Sequence, residues 1–386
     1  MNKIFYFDHA ATTALDENVL KEMIPFFSMD YGNASTAYSI GRRAKVAIEH
    51  ARGQVANAIN AKNKEIIFTG CGTESDNLAI KGVISANKNK IKHIITSKIE
   101  HNAILNSCKK LEEYGVEVTY LNVDSNGRIN LDELEKSIKN ETVLISIMTA
   151  NNEIGTIQPI KQIGAIAKKH KVLFHTDAVQ AIGNLKIDVE DMNIDLLSMS
   201  AHKFYGPKGM GALYVRSGVE INEIQDGGHQ EKGLRAGTEN VAGIVGIGKA
   251  IEIAYNNIEL YNRNLLELRD YCIENLRKNF KNIKINGDLE NRLPGNINVS
   301  FIGMDSSEIL FGLDKYGICI SAGSACNTGS GNISHVLTSI GLESKEALGT
   351  IRISLGKENT REEIDYLIKI LKKICFYDIS DSDIIG

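Results

Sequence analysis

Short, nearly uninterrupted apolar runs alternate with amphipathic stretches through the first two-thirds of this chain, and that alternation restricts the fold more than any other feature. The runs at 65–69, 93–96, 143–148, 172–174 and 196–199 are strand-length. Between them lie helical patterns carrying Leu78, Ile80 and Val83, then Ile104, Leu105, Cys108 and Leu111, then Ile160, Ile163, Ile166 and Ala167. Strands without polar alternation are buried on both faces, so the pattern predicts an α/β fold: a mostly parallel sheet with helices on its faces. In such sheets chemistry collects beyond the carboxyl ends of the strands. Here the ends of four runs lead to Thr73, Asn152, Asp177 and Lys203, and His101 follows a fifth.

The character shifts around Ala250. Long helical patterns run from Glu259 to Phe280, short strands follow at 296–302 and 318–321, and a Gly/Ser-rich stretch occupies about 321–334. An amphipathic helix using Ile364, Leu367, Ile368, Leu371 and Ile374 comes last, before a short acidic tail at 378–383. With 386 residues, about two domains are expected at roughly 150 residues each. The expected division is a large domain over 14–255 and a smaller α+β domain from 1–13 and 256–386, the latter carrying the Gly/Ser loop.

The net charge of −4 argues against a nucleic-acid-binding surface, which needs clustered excess Lys and Arg. Asp8 and His9 interrupt the first apolar run, so no signal peptide is expected. No uncharged stretch approaches the roughly 20 apolar residues of a membrane helix. The six cysteines form no C-x-x-C pair, which weakens zinc and redox-dithiol readings, and no metal site is expected. A cytoplasmic protein whose cysteines mostly pack as small hydrophobes follows.

Several residues stand where chemistry would need them. Lys203, just after an apolar run, can be buried enough to lower its pKa and serve Schiff-base chemistry, or it can be a solvated loop lysine. The turn Gly206-Pro207-Lys208-Gly209-Met210-Gly211 favours the specialised reading. Asp177 ends a strand, where a carboxylate can keep a pyridine nitrogen protonated or can cap a helix. Gly70, Cys71, Gly72 and Thr73 join a strand to a helix, and free N–H groups there form a phosphate cup. Position 75 is Ser and no Gly-Lys-Ser/Thr follows, so dinucleotide and ATP signatures are absent. Cys326 sits among Ser321, Ala322, Gly323, Ser324, Ala325, Asn327 and Thr328, with no apolar neighbour to bury it, so an exposed cysteine on a mobile loop is expected. Arg352, inside an apolar strand pattern, needs an anion. A substrate α-carboxylate would serve, and so would an internal Asp or Glu, which the residues alone favour.

Taken together these motifs resemble the cysteine desulfurases of the NifS/IscS type, within the class V aminotransferase-like enzymes that use pyridoxal 5'-phosphate (PLP). The likeness runs from Phe7-Asp8-His9-Ala10-Ala11-Thr12-Thr13 to the Arg352 strand. It implies the type I fold of PLP-dependent transferases. It implies that Lys203 carries PLP, that Asp177 meets the ring nitrogen, that Gln180 lies near the ring hydroxyl and that His101 stacks on the ring. Phosphate contacts carry over to Gly72, Thr73, Ser200 and His202, and Asn152 to the substrate and cofactor. Thr238 matches the threonine that reaches a partner subunit's phosphate, which implies a homodimer. Arg352 would hold the α-carboxylate of L-cysteine, Cys326 would take its sulfur as a persulfide, and His101 would move thiol protons. Alanine and an acceptor protein, for iron–sulfur cluster assembly or tRNA thiolation, complete the implied reaction. The loop around Cys326 looks like the longer NifS/IscS form rather than the short Arg-x-Gly-His-His-Cys form. Gly70-Cys71, and Gly32-Asn33-Ala34-Ser35-Thr36-Ala37-Tyr38, depart from the usual pattern without removing a catalytic group. A selenocysteine lyase, or another class V PLP aminotransferase or lyase, is the alternative.

Overall fold

The computed structural model describes residues 3–88, 91–322 and 333–376. Its strands, in chain order, are β1 (Phe5–Tyr6), β2 (Ile66–Thr69), β3 (His93–Ser97), β4 (Glu117–Leu121), β5 (Thr142–Ser146) and β6 (Leu173–Asp177). They continue as β7 (Leu196–Ser200), β8 (Gly211–Val215), β9 (Ile283–Ile285), β10 (Asn296–Phe301), β11 (Ile318–Cys319) and β12 (Thr350–Ser354).

Seven strands make one sheet in the order β2-β8-β7-β6-β5-β3-β4. The pairs β3–β4, β3–β5, β5–β6 and β6–β7 are parallel, whereas β8 runs antiparallel to both β7 and β2. Two reversals cancel, so β2 points the same way as β7 and its carboxyl end reaches the same sheet edge. The expected mostly parallel α/β sheet is therefore present. Two of its strands were not anticipated. The edge strand β4 is only partly buried, and its mixed pattern lacks the apolar signature of a central strand. The fully buried β8 follows directly on the glycine-rich turn, which masks its start.

Every residue of β2, β3, β5, β7 and β8 is buried. One core, built around Phe68, Ile95, Ile145, Phe174 and Leu197, fills one face of the sheet. Another, with Ile67, Ile80, Ile94, Leu144 and Leu213, fills the other face. Alternating residues thus serve opposite faces, as the pleat requires. Helix Ser39–Ala58 lies against helix Val241–Asn256 at close range: a Cβ on Gly248 would stand 2.7 Å from the Ala51 Cα. Glycine at 248 therefore sets how near these backbones approach.

A third core joins Phe7, Leu276, Ile297, Val299, Ile351, Ile353, Ile364 and Leu371 around the antiparallel sheet β12-β10-β9. β1 pairs in parallel with β11, which ends at Cys319 and is shorter than the expected strand. The opening residues and the closing third of the chain are thereby packed together. Among the described residues no helix is long and apolar enough to cross a membrane.

Candidate active site

The carboxyl edge of the large sheet opens into a cavity of about 250 Å³. Its wall holds Lys203, Asp177, His101, Asn152 and Arg352. Gly72, Thr73, Gln180, Ser200 and His202 complete the set of anticipated residues that converge there. Thr238 does not: it lines a separate small cavity with Gly70 and Arg235. Cys326 lies outside the described residues, as does the acidic tail.

Lys203 follows β7 in a single turn of 3-10 helix, Ala201–Lys203. Its amine donates to the Ala10 carbonyl at 2.6 Å and the Ala11 carbonyl at 2.8 Å. Two residues on, Tyr205 has φ +64°, an unusual conformation for a bulky residue that must be held from outside. Its N–H donates to Thr13 Oγ1 at 2.9 Å, and its hydroxyl accepts the Lys357 N–H at 2.8 Å. The specialised turn after Lys203 is therefore pinned to the N-terminal segment whose carbonyls hold the amine.

Asp177 closes β6 with its carboxylate buried, and Oδ1 accepts the Val179 N–H at 2.9 Å. No helix follows Asp177, so the contact closes a turn rather than capping a helix. His101 caps helix Asn102–Glu112: its Nδ1 accepts the Ala103 N–H at 3.1 Å, which leaves the proton of the neutral ring on Nε2. Burial depresses the His101 pKa against the pull of Asp177, so the ring is neutral at ordinary pH.

A residue that sequence reasoning passed over sits beside them. Asp76, one turn into helix Gly72–Ala86, is 1% exposed, and its Oδ1 has no hydrogen-bond partner. Ligating atoms of Asp76, His101 and Asp177 all fall within 4.8 Å of one another. Burial raises the Asp76 pKa well above the carboxylate range, and nearby Asp177 raises it further. Burial raises Asp177 too, but His101, the Val179 N–H and Lys203 oppose that shift. Asp76 stands among Thr73, Glu74, Ser75 and Asn77 in the polar first turns of the helix, so no local pattern marked it as buried.

Arg352 meets the internal acid that its place in an apolar strand called for. On β12, 1% exposed, it donates from Nη2 to Asp8 Oδ1 at 2.7 Å and from Nη1 to the Asn152 carbonyl at 2.9 Å. The internal acid exists, and Nε remains without a partner although Arg352 lines the cavity.

The pocket suits PLP on its own chemistry. The helix beginning at Gly72 offers its N-terminus, and a Cβ there would come within 2.7 Å of Val179 Cγ2, so a backbone cradle is kept bare. An amine, a buried carboxylate and a neutral imidazole face the same space. Burial and the neighbouring Lys203 push His202 down to about 4, and its Nδ1 lies 3.1 Å from Thr12 Oγ1.

The model of a known family, aminotransferase class V, matches residues 5–367. The chain belongs to that family. Among its class V relatives, a protein named cysteine desulfurase IscS from Clostridium botulinum (strain Hall) is 53% identical over 376 residues, covering 97% of this chain and 95% of its own. Another of that name from Methanosarcina thermophila is 52% identical, covering 97% of this chain and 92% of its own. A solved NifS-like protein superposes with a TM-score of 0.91 at 42% identity, over 96% of this chain and 99% of its own. A solved complex of SspA with cysteine gives a TM-score of 0.82 at 41% identity, over 92% of this chain and 99% of the other. Class V aminotransferases are generally PLP-dependent, and the fold expected from the sequence is theirs.

Proposed function

We propose that this protein is a PLP-dependent cysteine desulfurase that converts L-cysteine to L-alanine and holds the sulfur as a persulfide on Cys326. The convergence of Lys203, Asp177, His101 and Arg352 on one cavity carries this reading. Relatives at 50–53% identity that bear the name of that activity support it. PLP bound here would supply an electron sink for charge developing at the substrate Cα.

The chain's own groups divide the remaining work. Lys203 would hold the cofactor, and its amine would take the Cα proton. Asp177 would set a carboxylate against the ring nitrogen, and Gln180 would serve the ring hydroxyl. The start of the helix at Gly72 and Thr73, with Ser200 and His202, would hold the phosphate. Arg352 and Asn152, both in the cavity wall, would orient the substrate carboxylate. Neutral His101 accepts or returns the thiol proton. Cys326 thiolate attacks the substrate sulfur: one S–S bond forms, the Cβ–S bond breaks, and Cβ takes a proton on the way to alanine. Thr238 would serve the phosphate of a second subunit in a homodimer. Acceptor proteins for iron–sulfur cluster assembly or tRNA thiolation would then remove the sulfur. All five described cysteines are free thiols, which suits the reducing cytoplasm.

Purified enzyme with PLP and L-cysteine is expected to release alanine and, under a reductant, sulfide in equal amounts. Cys326→Ser should keep the visible cofactor absorbance and its change on adding cysteine, yet stop sulfide release. Undiminished sulfide from that variant would remove Cys326 from the mechanism, and a keto-acid product would replace the desulfurase reading by an aminotransferase. Activity confined to selenocysteine would favour the lyase instead.

A further inference from the structure

Glu153 is a buried carboxyl that the chemistry above does not use. It is 1% exposed and follows Asn152 directly. The Asn151 side chain fixes the turn that carries it: Asn151 Oδ1 accepts the N–H groups of Glu153 at 2.9 Å and Ile154 at 3.0 Å. The Glu153 carbonyl accepts from the Asn296 and Asn298 side chains of β10 at 3.2 and 3.3 Å. Asn298 is the register partner of Arg352 on β12. One backbone unit thus ties the substrate edge of the large sheet to the sheet that carries Arg352.

The Glu153 side chain reaches a third piece of the molecule. Ser334 Oγ donates to Glu153 Oε2 at 2.6 Å and accepts the Val336 N–H at 3.1 Å, both inside the protein. Ser334 stands eight residues after Cys326. The helix it caps, His335–Ser339, packs Val336 and Leu337 into one cluster with Ile99, Met148 and Ile154. His335 Nε2 lies 3.0 Å from the carbonyl of Glu100, the neighbour of His101.

On the other side, Ser321 stands five residues before Cys326. It exchanges backbone hydrogen bonds with Arg352 at 3.2 and 2.6 Å, and its hydroxyl donates to Asp8 Oδ2 at 2.7 Å. The two points between which the chain carries Cys326 are therefore both fastened to residues of the substrate site. The Ser321 anchor uses the Asp8–Arg352 pair. The Ser334 anchor depends on Glu153.

We propose that Glu153 is a positioning residue for sulfur capture: by holding Ser334 beside Asn152 it sets where the chain bearing Cys326 departs from the substrate site. This rests on the desulfurase reading. A buried hydrogen bond to a carboxyl constrains geometry where a solvated one would not, because breaking it strands a polar group inside the protein. The role needs an acceptor at position 153 rather than a charge. Burial raises the Glu153 pKa against the opposing Ser334, His335 and Arg352, so an amide is a fair substitute.

The test uses full-length holoenzyme under single turnover with L-cysteine, following the cofactor absorbance, alanine, and persulfide on Cys326 by mass spectrometry. Ser334→Ala should keep the cysteine-induced absorbance change and KM within about twofold, while persulfide formation slows roughly tenfold, the worth of one well-made hydrogen bond. Glu153→Leu should match it, Glu153→Gln should restore most of the rate, and the double variant E153L/S334A should be no slower than the slower single one. Persulfide formation at the wild-type rate in Ser334→Ala overturns the proposal. So does loss of the absorbance change in step with the rate, which marks a general structural role. Multiplied losses in the double variant overturn it too. If Glu153→Leu fails to fold, Ser334→Ala decides alone, since it removes one hydroxyl. A wild-type enzyme that makes no persulfide sinks the desulfurase reading itself, whereas wild-type persulfide with an unslowed Ser334→Ala sinks only this one.

Discussion

Asp8 and Arg352 stand 344 residues apart in the chain, yet their side chains meet at 2.7 Å with the guanidinium 1% exposed. Asp8 neutralises a cation that would otherwise be stranded, while Arg352 Nε stays buried without a hydrogen-bond partner. Asp8→Ala therefore removes one partner of a buried pair, and a loss of about 3–5 kcal/mol is expected in urea unfolding. Arg352→Lys keeps the charge but not the fork. Its KM for cysteine is expected to rise roughly tenfold or more, in line with a charge-assisted contact of about 1.5–3 kcal/mol. A Lys variant with unchanged KM would take Arg352 away from the substrate.

Asp177→Asn removes the charge that Lys203 and His101 stabilise. The protein should fold and bind PLP, with turnover lower by roughly 10²–10³-fold, as for other preorganised charges. Comparing cofactor content and kcat on one preparation checks this. A variant that lost PLP while each loaded site turned over normally would confine Asp177 to binding.

Arg52 and Glu231 form a buried two-pronged pair, with both contacts at 2.8 Å, and Glu231 also accepts the Phe68 N–H at 2.8 Å. The pair holds Glu231 and Lys232 at φ +44° and +62°, conformations that non-glycine residues avoid. This turn leads into the segment with Arg235 and Thr238, and Arg235 Nε donates to Glu74 Oε1 at 2.8 Å in the first turn of helix Gly72–Ala86. Arg52→Ala should cost about 3–5 kcal/mol by denaturant unfolding. A loss below about 1 kcal/mol would mean that the pair is not dry in solution.

Burial pushes the His175 imidazole down to about 3, between Ser146 Oγ at 2.9 Å and Ser198 Oγ at 3.0 Å. The unfolded chain takes up this proton near the ordinary histidine value of about 6.5. The folded state refuses it until the pH is far lower. The stability contributed is thus complete above about pH 6.5 and is lost as the pH falls from there toward 3, at up to about 1.4 kcal/mol per pH unit for one proton. Urea midpoints from pH 7 to pH 5 should fall, and His175→Asn should flatten the slope by one proton. Parallel slopes for variant and wild type would show that His175 does not titrate as described.

Much of the large sheet was legible because its central strands are continuous apolar runs bounded by turn residues. β2, β3, β5, β6 and β7 announce themselves that way, and the residues beyond their ends meet in one cavity. β4 was hidden because this edge strand, only partly buried, carries Glu117 and Thr119 and loses the continuous apolar pattern. The Cys326 segment and its surroundings were legible only as composition, and position 326 lies outside the described residues.

What the sequence determined by itself is local: which stretches are strands or helices, and which polar groups stand at strand ends, since periodicity and turn chemistry act over a few residues. What only the tertiary structure decided is pairing. Asp8 with Arg352, Glu231 with Arg52, Asp76 beside Asp177 and Ser334 on Glu153 are each joined across many residues of chain. No local pattern encodes which buried charge or hydroxyl will meet which, because that choice is made when packing removes water and every remaining polar group must find a partner.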